Sequence, residues 1–171
     1  MKKLFLLTAL AGLLSFGASA QTTAGNKLGV GLEFGLPVGD WSDGMNIGFG
    51  GSGIMHIPIS SSKLYGTINA GFINFKSKEV NGFTYDYGAI PLKAGIKYYF
   101  VPNFYGAAEL GAAIGTNDGA STAFAYSPGI GVDFPVSDKT SIDLGARYEA
   151  WSANSVTNGF VGIRAAFNFG L

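Results

Sequence analysis

Residues 90–115 read IPLKAGIKYYFVPNFYGAAELGAAIG. On an extended chain Ile90, Leu92, Ala94, Ile96, Tyr98 and Phe100 share one face, and Lys93, Gly95, Lys97 and Tyr99 share the other. Val101-Pro102-Asn103 interrupts the pattern. It then resumes with Phe104, Ala108, Leu110, Ala112 and Ile114 opposite Tyr105, Ala107, Glu109, Gly111 and Ala113. Alternation with a period of two, held for about ten residues, specifies a strand rather than a helix. About ten residues is also what a tilted strand needs to cross a bilayer.

The same pattern runs outward in both directions. It predicts strands at 27–36, 45–57, 64–75, 85–100, 104–115, 122–134, 140–151 and 159–171. Between them lie short segments of turn formers at 37–44, 58–63, 76–84, 101–103, 116–121, 135–139 and 152–158. Asn81-Gly82 marks a tight turn. Gly51 and Gly53 dilute the apolar face of the second strand and Ile54 intrudes on its other face, which predicts a bulge near 50–53. No helical period appears between strands. The expected fold is an all-β, eight-stranded antiparallel up-and-down barrel.

Charged residues make up 13% of the 171, too few for an ordinary soluble surface, and the formal net charge of zero offers no basic face to nucleic acid. Cysteine is absent, which excludes disulfides and thiolate chemistry. Lys2 and Lys3, the apolar run 4–16 and Ala18-Ser19-Ala20 have the order of a cleavable export signal, so 1–20 is expected to be a leader and 21–171 the mature domain. No later run is long enough for a membrane helix. A mature chain in a membrane would therefore cross as a closed barrel, because lipid leaves an open sheet edge without partners.

Period two does not say which face is inside; composition does. The less apolar face is mostly glycine and alanine between its charges, whereas a water-exposed strand face would favour residues with better strand propensity. A crowded lumen gives small residues a use, since they leave room for inward Lys, Arg and Tyr. The apolar face gathers aromatics towards strand ends: Phe34, Phe72, Tyr98, Phe100, Phe104, Phe124, Phe134, Tyr148, Phe167 and Phe169. Membrane barrels carry aromatic girdles of this kind. Glu33, Lys93, Lys97, Glu109, Asp133, Asp143, Arg147, Glu149 and Arg164 all fall on the small-residue face. Slipping the strands by one residue would turn them to lipid, at roughly 2–4 kcal/mol for each Arg or Lys near the midplane. The near balance of acids and bases predicts a paired network filling the lumen, with a narrow charged ion path as the alternative.

The leader, the eight alternating strands, IPLKAGIKYYF before a Pro-Asn turn and the terminal Phe167-Asn168-Phe169-Gly170-Leu171 together resemble the outer-membrane protein β-barrel domain family, the small OmpA/OmpX-like barrels of Gram-negative bacteria. The resemblance implies a monomer in the cell outer membrane, surrounded by outer-membrane lipids and lipopolysaccharide. It also implies that the last strand is read by the barrel-assembly machinery; here that strand ends in Leu171 with Phe169 two residues before it. The expected role, read from the filled lumen and not from the resemblance, is structural, with surface recognition as a possible addition. The alternatives are a narrow pore for ions or small solutes, and a lipid-modifying enzyme.

Other motifs carry less. His56 is the lone histidine and has no neighbouring nucleophile pattern, so neither a catalytic residue nor a metal or cofactor ligand is assigned. Gly48, Gly50 and Gly53 match a dinucleotide fingerprint but lie inside a strand with no helix to follow. Asp40, Asp43, Glu79 and Asp118 are scattered loop acids. Trp41 and Trp151, at loop borders, are expected to be interfacial anchors, with a binding surface as the alternative.

Overall fold

The computed structural model describes residues 25–60, 63–79, 82–117 and 119–171. The expected leader, Asn81 and Asp118 lie outside these. The strands are β1 Lys27–Val38, β2 Met45–Ser60, β3 Leu64–Ser77, β4 Asp86–Tyr99, β5 Phe104–Gly115, β6 Thr122–Ser137, β7 Thr140–Ala153 and β8 Val156–Gly170, with one short helix, α1 Trp41–Gly44, between β1 and β2. Each strand pairs antiparallel with its chain neighbour, and β8 pairs back onto β1 along its length. Closure leaves no edge, so ladder groups find their partners within the sheet. The start of β1 and the end of β8 lie at one end of this barrel; α1 and the longer connections lie at the other.

The faces fall as the alternation requires. Leu32, Ile68, Leu110, Ile130 and Leu144 point outward and are exposed, while Glu33, Lys93, Lys97, Glu109 and Asp143 point inward and are buried. The ten aromatics expected on the apolar face all point outward, and nine of them are among the exposed large hydrophobics. An apolar belt around a closed barrel with a polar interior reverses the arrangement of a soluble domain and suits a hydrocarbon surround.

Several expected boundaries change. β7 and β8 run on to Ala153 and Val156, joined by Asn154 (φ 50°) and Ser155 (φ 64°) where a seven-residue loop was expected at 152–158. Two successive positive φ values give a two-residue turn whose twist suits a hairpin. β2 and β6 extend past Pro58 and Pro135, which sit at register shifts near the strand ends, where a missing N–H costs least. The bulge in β2 is not at 50–53, where pairing with β1 is unbroken; it lies between Met45 and Gly48. The extra residue there reverses the alternation and turns Met45 into the lumen rather than onto the apolar face. The longer β3 also brings Lys76 opposite Asp86 on the outer face at the rim.

Glycine on the inner face makes room for large side chains. A Cβ at Gly48 would lie 2.5 Å from the Phe75 ring, and one at Gly35 would lie 2.7 Å from it. Phe75 is fully buried and has nowhere to retreat. Gly48→Ala is therefore expected to destabilise the barrel by about 1–3 kcal/mol, the usual cost of overpacking. Adding Phe75→Leu should recover much of this in urea-unfolding midpoints. A double variant no better than the single one would show that the ring is not the obstacle.

Candidate functional site

Among the described residues, chemistry-bearing side chains converge in the lumen, which is filled in layers. The layer near α1 is aromatic. Trp41, the only ring in it contributed by α1, packs on Phe75 with centroids 4.6 Å apart, and Trp151 and Phe160 complete the cluster at 5.1 Å from each other and 5.2 to 5.9 Å from Phe75. Tyr87 borders it. Trp41 and Trp151 are thus not interfacial anchors: they are buried inside the barrel mouth. The reason is visible for Trp151, which shares the inward side of β7 with Asp143, Arg147 and Glu149. Trp41 belongs to no strand, so alternation has no bearing on it.

Beneath the plug lies a lattice of charges. The Trp151 indole Nε1 donates to Glu149 Oε1 at 2.8 Å, joining the two layers. Glu149, fully buried, accepts at Oε2 from Lys93 Nζ at 2.6 Å and Arg147 Nε at 2.7 Å. Lys93 also lies 3.4 Å from Glu109 and donates to Ser127 at 3.0 Å. Arg147 Nη1 reaches over β8 to Glu33 Oε2 on β1 at 2.7 Å. Glu33 also accepts from Ser52 and lies 3.3 Å from Arg164. Arg164 in turn links to Asp143 at 3.7 Å.

The layer nearest the chain termini centres on Asp143. Lys97 Nζ donates to it at 2.7 Å and the Tyr105 hydroxyl at 2.8 Å, while Lys97 also stands 3.7 Å from the Tyr105 ring centroid. Asp133 and Asp143 face each other across the β6–β7 ladder. Their repulsion is relieved because Asp133 takes a separate set of partners: Tyr99 at 2.7 Å, Asn168 at 3.3 Å and Lys27 at 3.9 Å. Low local polarity strengthens each contact and raises the cost of leaving any member unpaired.

The structure thus gathers eight of the nine charges named from the sequence into one connected lattice and sets Asp133 apart with Lys27. Lys27 was not named, although it has the parity of Glu33 on β1. Tyr99 and Tyr105 fall on the inward face as the alternation requires, but their partners, like those of Ser52, Asn69 and Asn168, were not legible because a neutral polar residue carries no sign of its partner. His56 is buried, and neither ring nitrogen has a hydrogen-bond partner among the described residues. No group of three or more His, Cys, Asp or Glu poised to hold a metal occurs among the described residues. Asp40 and Asp43 flank Trp41 at the barrel mouth, and Glu79 follows β3.

Apolar belt, aromatic girdle, closed antiparallel sheet and charged lumen define a transmembrane β-barrel of the small outer-membrane type. Among solved structures the chain is similar to the Neisserial surface protein A, with a TM-score of 0.62 at 14% identity over 85% of this chain and 97% of that one. It is similar also to Ail, the attachment invasion locus protein of Yersinia pestis (TM-score 0.57, 15% identity, 86% and 100% covered). A third is the outer membrane protein OprG of Pseudomonas aeruginosa (TM-score 0.56, 10% identity, 86% and 96% covered). These likenesses concern the fold. No family model matches the chain, and no curated protein matches it.

Proposed function

We propose that this protein is a monomeric structural barrel of the outer membrane, with a sealed lumen and no catalytic role, set among outer-membrane lipids and lipopolysaccharide. The observation that carries the reading is the double closure of the lumen. An aromatic plug of Trp41, Phe75, Trp151 and Phe160 stands above a cross-braced lattice in which Arg147 alone ties β7 to β1. An eight-stranded barrel has little more interior than its own side chains occupy. With the termini in the periplasm, α1 and the turns beside it face outward. Among the described residues of the β3–β4 connection Phe83 and Tyr85 are large, apolar and exposed, and they supply the surface for any recognition role. The outward row Phe167, Phe169 and Leu171 on and after β8 is the segment offered to the barrel-assembly machinery.

Two measurements test this. In planar bilayers the purified mature protein is expected to give no steady, reproducible conductance steps; regular channels would overturn the sealed-lumen reading. Lipid A mass spectra from cells with and without the protein are expected to coincide, and an altered acyl pattern would overturn the non-catalytic one.

A further inference from the structure

The β6–β7 ladder is interrupted in mid-strand. Tyr126 pairs with Ala150 and Gly129 with Arg147, but pairing lapses at Ser127 and Pro128. The register on either side puts Pro128 opposite Tyr148. Towards β5 the pairing runs unbroken through Pro128 and Ala108, so the proline nitrogen is turned to β7. Proline has no N–H to give. The main-chain carbonyl of Tyr148 therefore lacks the ladder donor that any other residue at 128 would supply. Pro128 is exposed on the outer face, level with the apolar belt. No water is at hand in hydrocarbon to replace a missing donor, so an unpaired carbonyl there is costly.

The outer face is hollowed over the same seam. A groove of about 660 Å³ has Gly106, Ala108, Pro128 and Ala146 as its floor, with Tyr98 and Tyr148 beside them. These four small or flat residues hold neighbouring outward positions on β5, β6 and β7. Gly129 and Arg147, which hold inward positions, also line the groove, so its floor reaches the main chain where the ladder lapses. Pairing in β3–β4 lapses in the same way at Pro91, opposite Gly71. There the adjoining pocket holds about 10 Å³ and is lined by Glu33 and Lys93, on the lumen side. An apolar groove and an acceptor without its donor coincide at Pro128.

The coincidence selects the occupant. A plain hydrocarbon chain fills the groove and leaves the carbonyl unmet. A two-fold related copy of the barrel would set groove against groove and fill neither. A hydrocarbon chain with one donor meets both demands.

We propose that this groove binds a fatty acid hydroxylated part-way along its chain. The chain lies over Gly106, Ala108, Pro128 and Ala146, and its hydroxyl donates to the Tyr148 carbonyl. The site does not depend on whether the lumen is sealed.

The test is a titration of the full mature barrel, in deuterated micelles, with 12-hydroxystearic acid and with stearic acid, read from the amide signals of Gly106, Ala108 and Gly129. Both acids are expected to give saturable shifts, with the hydroxylated one about tenfold tighter, as one added hydrogen bond allows. The hydroxylated acid alone should move the carbonyl carbon signal of Tyr148. Pro128→Ala restores the N–H and should bring the two affinities together. Ala108→Phe fills the groove and should abolish both titrations; it serves if Pro128→Ala does not fold. Equal affinities in the wild type, or a preference that persists in folded Pro128→Ala, overturn the role of the carbonyl. Shifts that do not saturate overturn the site. Self-association of the fatty-acid-free barrel in sedimentation, moving the same amide signals, would assign the groove to a second copy and overturn the choice of ligand.

Discussion

Replacing Glu149 with alanine should destabilise the barrel by up to about 3–5 kcal/mol, because the change takes from two buried cations an anion that both of them touch. Glu149 is the node at which Lys93, Arg147 and the Trp151 indole meet. Arg147 keeps Glu33 and Lys93 keeps Glu109 at a longer 3.4 Å, so the lattice loses its centre rather than all of its pairs. Trp151 also loses its acceptor, which loosens the join between plug and lattice. Reversible urea unfolding in lipid vesicles, followed by tryptophan fluorescence, reads the loss. A double variant, Glu149→Ala with Lys93→Met, removes one stranded charge along with its partner and should recover part of the deficit. The shortfall from additivity then measures the coupling of the pair. A loss below about 1 kcal/mol for Glu149→Ala would mean that water, not the lattice, carries these charges.

Leu110→Arg should cost roughly 2–4 kcal/mol when the barrel folds into a bilayer and much less in short-chain detergent, where water reaches the outer face. Leu110 is 59% exposed and lies in mid-strand on β5, so an arginine there meets hydrocarbon with no interior partner. The adjacent Gly111 makes a poor inward control, since a Cβ there would stand 2.7 Å from the backbone Cα of Lys93. Ala107→Ser is the better one: it faces the lumen beside Asn69 and Arg147, where a hydroxyl finds polar neighbours. Heat-modifiable gel mobility after folding into vesicles separates the two variants. Equal folded fractions would be falsifying for the outward assignment of Leu110.

Much of this barrel was legible in the chain because strand alternation is a local property. Each inward charge lies on the face opposite a run of apolar residues on its own strand, so Glu33, Lys93 or Arg164 can be placed inside without knowledge of any other strand. Trp151 and Phe160 were legible on the same ground, and reading Trp151 as an anchor gave its loop-border position more weight than its parity. Met45 was not legible. Its side depends on one extra residue in β2 that shows only in the pairing with β3. Nor was the shortness of the β7–β8 turn, since Asn154-Ser155 lacks the glycine that usually marks a two-residue turn.

By itself, then, the sequence determined the strand count, the two faces and the sign of what each meets, because a period of two needs only near neighbours. Only the tertiary structure decided which inward residues touch. Parity sets a side chain's face but not its height in the lumen; height comes from register summed around the closed sheet. That sum brings Arg147 within 2.7 Å of Glu33 and turns His56 into the lumen, while α1 sets Trp41 on Phe75. These are contacts between residues far apart in the chain, and no local pattern encodes them.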